Sequence, residues 1–251
     1  MSPQRHWDAR AALNFILGGS GAGLMVWVAL AQVSSPFPII LSLALVAAGL
    51  LAVWLEIGRK LRALHVLFNP FTSWMTRESF AALLLFPLGL GALFVPQVSL
   101  GAGLAAAAFL YCQARMLAAS KGIPAWRAPG TVPLVVTTGL AEGAGLLLFF
   151  EANSLVLGVV GLAVIGRALA WGRYRAAAKT SVLATAGHAL LQWGTVVALV
   201  LVVLSYYYTA AAPLAGVAAV ATGWWLKFAL VTRAAYQQAP RLPRMPVRGT
   251  R

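Results

Sequence analysis

Apolar residues run along this chain in long blocks, each stopped by a short cluster of charge, proline or amide side chains. Eight blocks are apolar throughout and long enough to be helices: 11–32, 38–55, 79–94, 99–117, 132–150, 154–169, 181–204 and 211–231. A helix crossing a bilayer takes roughly 20 residues, so the third and sixth blocks are short. Pro87 and Pro213 sit where they would kink or start their helices. The fourth block is rich in Ala and Gly, which predicts burial against neighbouring helices rather than lipid. Open sheets cannot satisfy their backbones in lipid. The pattern therefore predicts an all-α, polytopic bundle of eight transmembrane helices.

Composition removes the main alternative. Of 251 residues, 61% are hydrophobic and 10% charged, and the mean hydropathy is +0.84. Soluble domains carry about 25% charged residues, so a soluble enzyme is excluded. Eight spans occupy about 160 residues, which leaves only short loops. The expected organisation is an eight-helix transmembrane domain over residues 1–235 and a basic, proline-rich tail over 236–251. The tail, with Arg241-Leu-Pro-Arg-Met-Pro-Val-Arg248, is either a solvated end or a docking segment. The first block follows Arg5, His6, Asp8 and Arg10 and is long enough to span, so a short cleavable signal is not expected.

Charge sets the expected orientation. All 19 Lys and Arg fall at the N-terminus, in or just before the segments after blocks two, four and six, or toward the C-terminal end. The segments near Ser34, Gln97, Asn153 and Tyr206 contain none. Cytoplasmic loops hold the Lys/Arg excess, so both termini are expected inside, in a bacterial inner membrane. The net charge of +14 is then orientation and attraction to anionic lipid, not a nucleic-acid signal. Tyr206, Tyr207 and Tyr208 should lie at the outer interface, and Trp171, Tyr174, Trp224 and Trp225 toward the inner one.

One cysteine, Cys112, and three histidines, His6, His65 and His188, leave little to hold a metal. No haem or iron–sulfur cluster is expected on this chain. Gly18-Gly19-Ser20-Gly21-Ala22-Gly23 has the look of a dinucleotide fingerprint, but no strand precedes it and it lies inside an apolar block. Close helix packing is the stronger reading; room for a ligand headgroup is the other.

The stretch from Trp54 to Glu78 is the most informative. Glu56 ends an apolar helix, where the helix dipole disfavours a carboxylate, and Arg59, Lys60 and Arg62 are near enough to compensate. Glu78 opens the next helix, where a carboxylate is a favourable cap. One reading is a charged loop and a helix start. The other is a pocket of two carboxylates and Arg62, edged by Trp54 and Trp74, as a quinol requires: apolar walls for ring and tail, and acid/base groups at its oxygens.

Glu56-Ile-Gly-Arg-Lys-Leu-Arg62-Ala-Leu-His-Val, followed by Ser73-Trp-Met-Thr-Arg-Glu78, resembles the membrane-anchor subunit of DMSO reductase and the wider polysulfide-reductase-type anchors. Their pattern reads His-Leu-Gly-x-Pro-x-Arg-Ala, then Ser-x-Leu-Ser-x-Glu. The likeness covers about 25 residues of motif, and eight spans with a Gly-rich first helix after Asn14 extend it. It implies a quinone-reactive anchor carrying an iron–sulfur subunit and a molybdopterin (Mo or W) catalytic subunit on its basic, cytoplasmic face. The substrate would be menaquinone or ubiquinone. Arg62 and Glu78 match positions implicated at the quinol site, and Asn14 matches a polar contact on the first helix. Glu56 stands where the DMSO reductase anchor has histidine, which leaves quinone type and direction of electron flow open. The anchors of phenylacetyl-CoA:acceptor oxidoreductase and of cytoplasmic sulfite dehydrogenases are similar in kind.

Glu142 lies inside block five. An ionisable residue at that depth costs about 2.5–3.5 kcal/mol on insertion scales, so it should face the bundle and have a partner. His188 and Gln192, four apart in block seven, are the expected partners, in a proton path or as helix glue. A buried Glu would equally serve a secondary transporter, the second functional class. No internal repeat relates residues 1–125 to 126–251, and Glu56 and Glu78 cluster at one face, which favours the redox anchor.

Overall fold

The computed structural model describes residues 7–57, 60–120, 122–178, 183 and 187–234, and of residues 60–63 only the backbone. The tail 236–251, Arg59 and the start of the seventh block thus lie outside the described residues, as does the Arg62 side chain.

Each of the eight apolar blocks is helical over most of its described length, and no strand occurs among the described residues. The helices are α1 (Ala9–Leu30), α2 (Pro36–Glu56), α3 (Trp74–Ala92), α4 (Ser99–Ala118), α5 (Thr131–Leu147), α6 (Ser154–Ala177), α7 (His188–Ser205) and α8 (Ala211–Arg233). Polar caps explain several starts. Asp8 accepts from Arg10 N at 2.8 Å, Ser73 from Thr76 N at 3.3 Å and Asn153 from Val156 N at 2.9 Å. Pro36 stands in the first turn of α2, where its missing N–H costs nothing.

Two boundaries differ from the sequence expectation in ways that matter. The Ser73 cap starts α3 a turn earlier than expected, so Glu78 is no helix cap: it lies inside α3, buried. α6 runs on to Ala177, carrying Arg173 and Arg175 on helix rather than loop.

Among the described residues six helical segments are long and apolar enough to cross a membrane: Ala9–Leu30, Pro36–Glu56, Pro96–Ala118, Ser154–Ala177, His188–Ser205 and Ala211–Arg233. Thr131–Leu147 is apolar but shorter. The packing is that of a lipid-facing bundle, with small residues inside and large apolar ones outside. Along α4, Ala102, Ala105 and Ala106 are buried while Leu104 is 74% exposed.

α1 to α4 each pack on the next, and α4 returns to α1 to close a ring. α5 to α8 close a second ring, and the two meet chiefly along α1 and α5. A Cβ on Gly143 would land on the backbone of Gly23 and Leu24, so glycine is what lets α1 and α5 touch. The close-packing reading of the Gly18–Gly23 segment is the one this contact supports.

The two sets of interface aromatics differ in burial. Tyr206, Tyr207 and Tyr208 are exposed, but Trp171 and Tyr174 are buried and stacked, with ring centroids 5.8 Å apart. They pack in a second apolar cluster with Trp126 and Leu230.

Candidate functional site

A cavity of about 710 Å³ opens at the end of the first ring, between α1, α2, α3 and the connection from α2 to α3. Its polar lining includes Asn14, Trp54, Glu56 and Glu78, with His65, Asn69 and Thr76 from the connection and α3. Its walls are apolar: Phe15, Leu50, Val53, Met75 and Met116. Four of the six residues expected at a quinone pocket therefore share one cavity, though they come from three helices.

Local structure explains how. Residues 60–68 form a 3-10 segment (Lys60–Phe68) rather than an open loop. Thr76 Oγ1 donates to the carbonyl of Val66. Arg77 Nε and Nη2 donate to the carbonyls of Pro70 and Phe71 at 2.8 and 2.7 Å. α3 thereby holds the connection against the mouth of the cavity. In α1 the helical ladder widens to a π turn over Asn14–Gly18, a deformation that recurs at functional sites. Asn14 begins that turn, and its Nδ2 donates to Glu78 Oε1 at 3.3 Å.

The two carboxylates are unlike. Glu78 is 3% exposed and is held by the Asn14 amide. Glu56 is exposed at the last turn of α2, so it faces both cavity and water. One acid sits at depth and one at the mouth, an arrangement suited to passing protons between an apolar occupant and solvent.

Trp74 does not line the cavity. Its ring lies between two guanidiniums, with Arg77 Cζ 4.2 Å and Arg115 Cζ 4.8 Å from its centroid, and it meets Tyr111 edge-on. Cation–π contact makes it a brace between α3 and α4. Arg62 belongs to the 3-10 segment by its backbone, and its side chain lies outside the described residues.

The pairing expected for Glu142 is also corrected. Its Oε2 lies 2.5 Å from Lys227 Nζ and accepts from Ser20 Oγ at 2.8 Å. His188 instead contacts Arg175, at 2.9 Å, and Gln192 is exposed. The reason is helix adjacency: α8 packs directly on α5 and α1, whereas α7 reaches the bundle centre only through α6 and α8. Trp224 Nε1 donates to Ser20 Oγ at 2.9 Å, so its ring nitrogen reaches this cluster while the side chain stays exposed.

Lys227 and Arg167 are the residues that the sequence reading missed. Charge placement along the chain puts both on the basic face, yet both are 1% exposed. Arg167 Nη1 donates to the Ala219 carbonyl at 2.7 Å. The signal was present: each cation interrupts an apolar block, which by default marks an interior functional or structural role. Glycines make room for them. A Cβ at Gly19 would collide with Lys227 Nζ, and one at Gly223 would press on the Glu142 carboxylate.

Among the described residues no group of three or more His, Cys, Asp or Glu is placed to hold a metal ion. Comparison with protein-family models and with curated proteins gives no match to this chain.

Proposed function

We propose that this chain is the quinone-reactive membrane anchor of a molybdopterin oxidoreductase complex, exchanging electrons between a partner's iron–sulfur subunit and the membrane quinone pool. The observation that carries the proposal is the convergence of Asn14, Trp54, Glu56 and Glu78 on one cavity. A volume of about 710 Å³ suits a ring and the first part of an isoprenoid tail. The apolar walls hold the ring; Glu78 and Glu56 exchange its protons inward and outward. Asn14 orients Glu78, and Arg77 and Thr76 keep the connection closed over the site.

In this reading the chain crosses the bacterial inner membrane eight times, with α3 and the shorter α5 joining the six long apolar segments as spans and both termini cytoplasmic. The lysines and arginines after α2, α4 and α6 make the partner's docking face. In this reading the electron donor docks there, close to the cavity, and reaches the quinone without a relay on this chain.

Glu56→Gln tests the proposal in the assembled complex. Quinone-coupled turnover should fall by about 10²–10⁴-fold, the range for a lost general acid or base, while reduction of an artificial dye stays intact. Normal quinone turnover in both Glu56→Gln and Glu78→Gln would refute the pocket. Purification in mild detergent should bring down iron–sulfur and molybdopterin subunits.

A secondary transporter is the second reading, and one observation favours it: the Glu142–Lys227 pair lies where the two helix rings meet. Substrate uptake by the chain alone in proteoliposomes, abolished by Lys227→Met, would select that reading over the anchor.

A further inference from the structure

Four charged side chains are buried among the described residues: Glu78, Glu142, Arg167 and Lys227. They balance, two against two. Lys227 pairs with Glu142, but Arg167 leaves Nε and Nη2 buried without partners. The cluster at the bundle centre therefore holds two cations against one carboxylate. Glu78 is the missing negative charge, and among the described side chains its hydrogen-bond partners are amides, not a cation.

Gln113 spans the gap. Its Nε2 donates to the Asn14 carbonyl at 3.0 Å, and its side chain also faces Glu78. Its Oε1 is buried and unpartnered. The point where a Gly19 Cβ would sit is 3.3 Å from that Oε1 and touches Lys227 Nζ, so only the missing side chain of Gly19 separates the amide from the ammonium. Buried acceptors without donors in a polar track of this kind are the usual seats of internal water. Glu78, Asn14, Gln113, Lys227 and Glu142 thus form a continuous polar track from the cavity to the bundle centre.

We propose that Glu78 and the Glu142–Lys227–Arg167 cluster are one electroneutral network bridged by Gln113, in which Lys227 gives up or regains a proton whenever Glu78 changes its charge. Arginine stays protonated, and Glu142 keeps the Ser20 hydroxyl as a donor when its ion-pair partner turns neutral, so the Lys227 ammonium is the group that can release a proton. When an occupant of the cavity gives a hydroxyl proton to Glu78, one O–H bond breaks and one forms. The network is then one positive charge in excess. Loss of one proton from the Lys227 ammonium, passed along the track and out through the cavity mouth to bulk water, breaks an N–H bond, forms an O–H bond outside the network, leaves a neutral amine and restores balance. Lys227 is thus a positioning residue for the cavity carboxylate, acting from the other helix ring.

A double-mutant cycle on the purified chain tests this, because Glu78 and Lys227 are not in contact and a purely local ion pair predicts additive effects. Glu78→Gln and Lys227→Met should each lower the melting temperature followed by tryptophan fluorescence. The combined variant, neutral again, should melt about 3 °C or more above Lys227→Met. Additive losses would overturn the network. If Lys227→Met yields no folded chain, recovery of the Glu78→Gln/Lys227→Met chain supports the proposal. Recovery of Glu142→Gln/Lys227→Met alone, or of neither pair, overturns it.

The functional half rests on the quinone reading, and a fluorescent hydroxyquinoline N-oxide reports on it separately. Lys227→Met should weaken binding of this analogue about tenfold, as should Glu78→Gln. Coupled melting with no analogue binding to the unmutated chain would refute the quinone reading and leave the network standing. Additive melting with binding intact would do the reverse.

Discussion

Replacing Gly143 with alanine adds a single carbon at the seam between the two helix rings. That carbon would land on the backbone of Gly23 and Leu24 in α1, where no flexible side chain can swing away. Carbon atoms pack at about 3.5–4.0 Å, so α1 and α5 must part by roughly 1 Å or more. The cost spreads along the seam: Trp27 Nε1 loses its 2.8 Å geometry to the Leu140 carbonyl, and Ser20 shifts from Glu142. Overpacking of this kind costs about 1–3 kcal/mol, occasionally more, and a rigid backbone contact belongs at the upper end. For a chain of this size that is a fall of about 6–12 °C in melting temperature. The same substitution at Gly172 has the opposite sign. Gly172 is exposed in α6 with nothing within 4 Å of the added carbon. Alanine there should stabilise by about 0.5–1 kcal/mol through helix propensity. Fluorescence melting of the three purified chains checks both signs. A Gly143→Ala chain melting within a degree of the unmutated one would refute backbone contact between α1 and α5.

Cysteines placed at Ser34, Gln97, Asn153 or Tyr206 should react with an impermeant thiol reagent added outside intact cells, and cysteines at Arg127 or Arg173 should not; labelling of the second set would reverse the orientation. Arg77→Ala removes both bonds to the Pro70 and Phe71 carbonyls and half of the sandwich around Trp74. Amide hydrogen exchange over residues 60–73 should accelerate at least about tenfold, since each bond from a charged donor contributes roughly 1.5–3 kcal/mol; unchanged exchange would show that Arg77 does not hold the connection.

The likeness to redox anchors rests on Glu56, Arg62 and Glu78 together with Asn14, and these residues differ in what the tertiary structure adds. Asn14, Glu56 and Glu78 share the cavity; the convergence itself comes from the Ser73 cap, the π turn in α1 and the 3-10 segment. None of those three features has a hydrophobic period that would announce it. Trp74 shows the limit of inference from proximity in sequence, since an aromatic at the edge of a motif faced two arginines instead of the pocket.

What the sequence by itself determined is the helical bundle, the position of each apolar block and the identity of the buried acid Glu142. Apolar length and charge placement are local quantities, and lipid leaves the backbone few alternatives to a helix. Only the tertiary structure decided who partners whom. Glu142 meets Lys227 rather than His188 because α8, not α7, lies against α5 and α1. Lys227 and Arg167 look like members of a basic face when counted along the chain. Their burial depends on which side of α8 and α6 turns inward, and helices apolar on every side carry no stripe to reveal that. Glycines on facing helices supply the answer, and they act only once the helices are packed.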